Sequence, residues 1–274
     1  MSNIKVIEKK GLKPGKNLVI LGGIHGDELC SIKAFDKIIP RLEIEFGKVI
    51  FIYSNLKAIE SNNRFIEYDL NRCFLKRQSL EIAESFEGKT AKEIMPYLEN
   101  ADAVLDIHAS FIQNSIPFVI CGKSQIDKAN IFDVEIVSFN WDLFEPGSTD
   151  NYMNLQNKPG FCFECGYLGD PKTQEIAEKA IFNFLIHNSC INGEFKVKEN
   201  QRFLKIVDLY RNKFGPFKVA RKFKDFEKLK NKTLVGWENN SPIFLDKDKF
   251  ILFAKDREKI NEECFLVAED SSPL

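Results

Sequence analysis

The chain contains no apolar run long enough to cross a bilayer, since even NLVILGGI at 17–24 stops at His25, well short of the roughly 20 residues a spanning helix needs. Its first residues, MSNIKVIEKKGLKPGKN, are charged and hold none of the apolar core of a secretory signal, so export is not expected. Cysteines number seven, an odd set scattered along the chain rather than a dense even framework, which fits a reducing cytoplasm. A net charge of -1 gives no global pull toward nucleic acid or an acidic membrane surface. Histidine is scarcer still, with three in 274 residues.

What is present is an ordinary globular balance, 44% hydrophobic and 29% charged, enough to bury a sizeable core without disulfides. Residues 18–22, LVILG, are a short apolar run closed by Gly22-Gly23, the pattern of a buried strand ending in a tight turn. From Asp27 to Ile39 apolar residues recur at helical spacing until Pro40. The same reading predicts strands at 48–53, 103–107, 117–121, 134–139 and 161–165, and amphipathic helices at 76–86, 90–99 and 172–188. Strands alternating with helices predict an α/β fold, a largely parallel or mixed sheet flanked by helices, with ligands at the carboxyl ends of strands. After Ile191-Asn192-Gly193 the texture changes to short segments with turn signals, which predicts an α/β unit over 1–193 and a smaller, mainly β unit over 194–274. Residues 195–232 carry thirteen Lys or Arg against four Asp or Glu, a local excess of +9 that leaves the rest at -10. Solvated strand faces account for such a run. A basic rim that steers an anionic substrate or docks on nucleic acid is the sharper alternative, although no RNP, KH or zinc-knuckle pattern accompanies it.

Two of the three histidines fall where a predicted strand ends. His25 follows the Gly-Gly turn in G-G-I-H-G-D-E, and Glu28 stands three residues on, a spacing that brings both side chains to one side of a first helical turn. His108 closes V-L-D-I-H-A-S after the 103–107 strand. If both strands are central, two imidazoles and a carboxylate share one edge of the sheet, a set that leaves zinc an open position and so suits catalysis. Taken singly, the first is an ordinary hydrogen-bonded pair and the second a core or capping histidine; their joint placement suggests the metal. Glu164 lies in the apolar G-F-C-F-E-C-G, where an unpaired carboxylate is costly to bury. It is either a salt-bridged core residue or the proton acceptor for an attacking water. Cys162 and Cys165 flank it on opposite strand faces, which excludes a chelating or redox pair.

The segment R-F-I-E-Y-D-L-N-R at 64–72 offers Arg64 to polarise a carbonyl and stabilise an oxyanion, and Asn71 with Arg72 to grip a substrate carboxylate. Asp69 would hold an arginine or the loop, and a surface loop laced with ion pairs is the plain alternative. Asp106 shares a strand face with His108 and either orients it or is a hydrogen-bonded core aspartate. His187, at the end of the 172–188 helix, reads as structural.

In this order, H-G-D-E, R-x-x-x-x-D-L-N-R, D-I-H-A-S and F-E-C-G resemble the succinylglutamate desuccinylase/aspartoacylase family, related to zinc carboxypeptidases, strongly over 17–170 and loosely beyond. The resemblance implies a zinc-carboxypeptidase-like sheet, one Zn2+ per chain on His25, Glu28 and His108, and Glu164 as general base and acid. It also implies that Arg64 assists the carbonyl and that Asn71 and Arg72 bind the substrate carboxylate. The implied reaction is hydrolysis of the amide of an N-acyl amino acid or a similar small carboxylate, with an ester not excluded. Aspartate-specific members carry a further arginine shortly before the catalytic glutamate, where this chain has Asn154 between Met153 and Leu155. They also carry a tyrosine that FILFAKDREK lacks, so N-acetylaspartate is not expected. Two rivals remain, a metallocarboxypeptidase acting on a peptide or cell-wall fragment, and a nucleic-acid-binding module with a vestigial metal site.

Overall fold

The computed structural model describes residues 2–272. In chain order the first elements are β1 (Lys5–Lys10), β2 (Lys13–Gly22), α1 (Cys30–Ile38), β3 (Phe46–Tyr53), α2 (Leu56–Ser61), α3 (Leu80–Glu84) and α4 (Phe86–Glu99). Then come β4 (Ala103–Ser110), β5 (Phe118–Cys121), β6 (Ile136–Phe139), α5 (Thr149–Asn154), β7 (Gly160–Tyr167) and α6 (Thr173–His187). Strands alone follow: β8 (Arg202–Arg211), β9 (Phe217–Val219), β10 (Glu227–Lys228), β11 (Thr233–Glu238), β12 (Ser241–Leu245), β13 (Phe250–Leu252) and β14 (Glu263–Ser271).

Eleven strands form one mixed sheet in the order β1-β3-β2-β4-β7-β5-β6-β8-β14-β13-β10, and β12-β11-β9 form a second, antiparallel sheet. The α/β class read from the sequence is therefore the observed one. Strands β2, β4 and β7 lie side by side and parallel at the centre. Their sequences are continuous apolar runs because both faces are covered. Leu18, Ile20, Phe51 and Leu105 pack under α1 and α6 with Phe35 and Phe184. Val19, Leu21, Ile50 and Val104 face the other way, toward Ile94 and Leu98 of α4. Each such side chain contributes roughly 1.5–3 kcal/mol on burial, which fixes the register of the three strands that carry the candidate residues. Beyond β6, parallel pairing with β8 brings the C-terminal strands onto the same sheet.

Several boundaries differ from the sequence reading, each for a local reason. Helix α1 begins at Cys30 rather than Asp27, because the Glu28 N–H closes a tight turn onto the His25 carbonyl at 3.3 Å before the helix starts. Only Leu80–Glu84 of the expected 76–86 helix is helical, and α4 starts at Phe86, where the Ser85 hydroxyl accepts from the Gly88 N–H at 3.0 Å and caps it. Strands β4 and β7 run on to Ser110 and Tyr167, so His108 and Glu164 lie inside strands near their carboxyl ends. Among the described residues no helix is long and apolar enough to cross a membrane, and all seven cysteines are free. In the basic 195–232 segment, Lys198, Arg202, Arg211, Lys218, Arg221 and Lys228 each have a carboxylate partner, so much of its charge is neutralised locally.

The loop at 64–72 is held by a buried carboxylate that carried no motif. Glu87, in the first turn of α4, accepts from the backbone N–H groups of Ile66 (2.8 Å), Glu67 (3.1 Å) and Tyr68 (3.1 Å), and from Asn55 Nδ2 (3.2 Å). An anion at a helix start, satisfied by three amides, fixes the loop where it meets the sheet. Glu87→Ala is expected to lower the unfolding free energy by roughly 3 kcal/mol or more, since several buried donors lose their acceptor. Urea denaturation followed by circular dichroism checks this; a loss below about 1 kcal/mol would mean that other contacts hold the loop.

Candidate metal centre and active site

Gly22 ends β2, and Gly23 turns the chain with a left-handed φ of 69° that a side chain would resist. Gly26 then passes so close to α2 that a Cβ would lie 2.1 Å from the Ala58 carbonyl carbon, and its N–H bonds the Arg64 carbonyl at 3.2 Å. This double turn carries His25 and Glu28 to the carboxyl edge of β2, beside His108 of β4, which is in register with Glu164 of β7.

Three acceptor groups converge there. His25 Nδ1 lies 2.7 Å from Glu28 Oε1, His108 Nδ1 lies 3.1 Å from Glu28 Oε2, and the two Nδ1 atoms are 3.2 Å apart. The opposite ring nitrogens face carboxylates: His25 Nε2 meets Asp69 Oδ1 at 2.9 Å, and His108 Nε2 stands 3.0 Å from Asp106 Oδ2 without an aligned hydrogen bond. Carboxylates accept only, so Asp69 and Asp106 favour a proton on each Nε2, while Glu28 faces both Nδ1 atoms and draws a proton there when no cation is bound. Released from protons, the two Nδ1 atoms and the Glu28 carboxylate form a donor set for one cation. Zinc ligands about 2.0–2.2 Å from the ion are separated by a little over 3 Å; His108 Nδ1 has that spacing to His25 Nδ1 and to Glu28 Oε2, and His25 Nδ1 stands closer to Glu28 Oε1.

The electrostatics agree. Burial and the Arg64 charge lower the His25 imidazole, yet Glu28 and Asp69 outweigh them and its pKa rises. Burial also lowers His108, but Asp106 raises it well above the ordinary value. Burial would raise Glu28, while the two histidines hold it far below the carboxylate range. A site that draws protons onto both imidazoles is one that attracts positive charge. The residues present therefore fit a zinc ion.

The supports come largely from the same motifs. Asp69 also accepts from Arg64 Nη2 (3.2 Å) and the Asn71 N–H (2.9 Å), and Asp106 accepts from Thr149 Oγ1 at 2.6 Å. The Ala109 N–H donates to Glu28 Oε2 at 2.9 Å. Arg64 Nη1 reaches Glu28 Oε1 at 3.1 Å, so it stands at the centre's edge rather than alone in the cavity. Arg72 is bound to Glu145, Nη2 to Oε1 at 2.8 Å, while Asn71 Oδ1 accepts from the Thr149 N–H at 3.3 Å. Glu164 is buried and its Oε2 has no hydrogen-bond partner; burial first, then the Glu28 charge, raise its pKa.

Two cavities of about 60 Å³ each share His25, Arg64, Arg72, Glu145, Glu164 and Phe253 in their walls. Sequence reasoning passed over Glu145, Phe253, Lys255 and Glu263, which reach this space from distant segments. Phe253 adopts a left-handed φ of 52°, its N–H held by Asp225 Oδ1 at 2.9 Å, and the other oxygen of that carboxylate takes Ser110 Oγ at 2.7 Å. Lys255 stands 4.3 Å from the Phe111 ring centroid, and burial, then Arg257, lower its ammonium to about 8. Asn154 ends α5 against Gly122, outside both cavities, and His187 packs against Phe195 at the end of α6.

Comparison with known proteins joins the fold to a family. The profile described as the succinylglutamate desuccinylase/aspartoacylase catalytic domain matches residues 14–188. A probable aspartoacylase of Nostoc sp. is 27% identical over 262 residues, 84% of each chain. An N-alpha-acetyl-L-2,4-diaminobutyric acid deacetylase of Halomonas elongata is 27% identical over 212 residues, 71% of this chain and 61% of that one. In fold, the chain is similar to a succinylglutamate desuccinylase from Vibrio parahaemolyticus, with a TM-score of 0.79 at 17% identity over 97% of this chain and 86% of that one. With more than half of its length matching the profile, the chain is a member of the succinylglutamate desuccinylase/aspartoacylase family.

Proposed function

We propose that the protein is a zinc-dependent hydrolase that cleaves the amide bond of an N-acyl amino acid, releasing a carboxylic acid and the free amine. The observation that carries this is the meeting of His25 Nδ1, Glu28 and His108 Nδ1 beside the unpaired carboxylate oxygen of Glu164. Zinc, when held by these three residues, supplies a Lewis acid and lowers the pKa of water.

The chain's own residues do the rest. Glu164, its affinity for protons raised by burial, takes a proton from the attacking water and returns it to the leaving amine. Arg64 donates to the oxygen of the scissile carbonyl as charge develops there. Asn71 and Arg72 hold the substrate carboxylate, so that the amide meets Glu164 in a fixed orientation. Asp69 and Asp106 keep the histidine tautomers with Nδ1 unprotonated. We treat 194–274 as a β unit that closes the cavity with Phe253, Lys255 and Glu263. The relatives named for N-acetylated and N-succinylated amino acids support this substrate class. The small, enclosed cavities favour a compact substrate over an extended peptide, and the paired charges of 195–232 weigh against a nucleic-acid groove.

Three variants test the assignment. Mass spectrometry of the purified protein is expected to find about one zinc per chain, lost in His108→Ala and bound about 10–100-fold more weakly in Asp106→Asn. A wild-type protein that takes up no divalent metal would refute the metal centre. Glu164→Gln is expected to keep the metal while kcat on a panel of N-acyl amino acids falls by about 10²–10⁴. Unchanged turnover in that variant would remove Glu164 from the chemistry.

A further inference from the structure

Arg72 is not free to meet a ligand. Its Nη2 donates to Glu145 Oε1 at 2.8 Å and its Nη1 to the Asn71 carbonyl at 2.9 Å. Glu145 is 6% exposed and sits between the turn at Trp141–Leu143 and α5. It lies against Glu263 of β14, whose carboxylate is held in turn by Arg211 Nη2 at 2.7 Å. The charged groups facing Glu145 are thus Arg72 from the 70–72 turn, Glu263 from β14 and Lys255 from the segment between β13 and β14. Asp69 and Arg64 act on Arg72 and Lys255 from across the cavity. Arg72, Glu145, Glu263 and Lys255 all line the cavity that contains Glu164.

We propose that Glu145 is an internal stand-in for the substrate carboxylate, occupying Arg72 in the free protein and yielding it, with uptake of a proton, when a substrate carboxylate binds. The inference rests on Arg72 being the carboxylate-binding residue of the hydrolase reading above. Two acidic side chains in contact cannot both hold full charge cheaply in a buried setting. Burial raises Glu145 most, Arg72 pulls it down, and Glu263 pushes it up again, for a net rise toward neutrality. Burial also raises Glu263, but Glu145, Arg72 and Arg211 outweigh it, so Glu263 keeps the negative charge. When a substrate carboxylate takes the guanidinium, Glu145 loses the group that most favoured its ionised form, leaving only the more distant Lys255. It then binds a proton from solvent and keeps it, its O–H donating a hydrogen bond to the ionised Glu263. Substrates with a free carboxylate can drive this exchange, whereas the matching neutral amides cannot. Glu145 is therefore a positioning and specificity residue that acts through Arg72.

The sign of the pH effect follows. Below the pKa of Glu145 the residue is neutral and releases Arg72; above it the ionised carboxylate competes, and KM rises about tenfold per pH unit as the competent fraction falls. The test is calorimetric titration of the zinc-loaded full chain in the Glu164→Gln background, which slows consumption of the probe. The probes are N-acetyl-L-2,4-diaminobutyrate, N-succinyl-L-glutamate and N-acetyl-L-aspartate, at pH 8, in two buffers of different ionisation enthalpy. The expected result is proton uptake on binding, abolished by adding Glu145→Gln, which also tightens binding several-fold and flattens the rise of KM with pH in the otherwise wild-type enzyme. Glu263→Gln, which removes the partner that raises Glu145, is expected to move the rise of KM to lower pH. Uptake unchanged by Glu145→Gln, weaker binding in that variant, or no binding of any of the three carboxylates overturns the proposal. Hydrolysis without proton uptake defeats this inference and leaves the hydrolase reading intact; proton-linked binding without hydrolysis by the wild type does the reverse.

Discussion

The burial of two imidazoles and a carboxylate against one another at the carboxyl edge of β2 and β4 is the constraint around which the rest of the molecule is arranged. His25, Glu28 and His108 are all nearly inaccessible to solvent, and nothing in their immediate shell can donate to both Nδ1 atoms. Their carboxylate neighbours outweigh burial and raise the proton affinity of both imidazoles, so the site attracts positive charge. Every nearby carboxylate serves this arrangement. Asp69 and Asp106 fix the imidazoles from behind, Glu87 anchors the loop that delivers Asp69, and Thr149 at the start of α5 anchors Asp106. The central parallel strands give these groups a rigid base, since their apolar side chains are packed on both faces.

The sheet and the residues of the candidate metal centre were legible in the sequence because both leave local signatures. Apolar runs bounded by glycine mark the central strands, and a histidine or glutamate interrupting such a run is conspicuous. His108 and Glu164 are of this kind, His25 follows the glycine turn that closes such a run, Glu28 shows by its spacing from His25, and Asp106 stands out as a charge inside β4. The short elements were less visible. Strand β1 reads as a polar stretch, KVIEKK, because it is an edge strand, and α2 and α5 are six residues each, too short for helical periodicity to show.

The distal wall of the cavity left no local signature at all. Glu145, Lys255 and Glu263 are ordinary charged residues in turn-rich sequence, and what distinguishes them is contact with Arg72 and Arg64 across long stretches of chain. Phe253 has no motif either, yet its left-handed backbone, which costs of order 1–3 kcal/mol for a side chain of this size, persists because Asp225 holds its amide and Trp141 and Phe111 pack around its ring. The basic excess of 195–232 was misleading in the opposite sense. It is conspicuous in one dimension, but carboxylates from several other parts of the chain meet it in three.

A second donor group lies beside the first, since His108, Cys162 and Glu164 also converge within 4.8 Å of one another. The proposed chemistry requires Glu164 to stay free of the ion, so the decisive question is which group zinc chooses. X-ray absorption at the zinc edge of the purified protein answers it. The account predicts a shell of nitrogen and oxygen only, at about 2.0–2.2 Å, with the multiple-scattering pattern of two imidazoles. A sulfur contribution at about 2.3 Å would place the ion on Cys162 and contradict it.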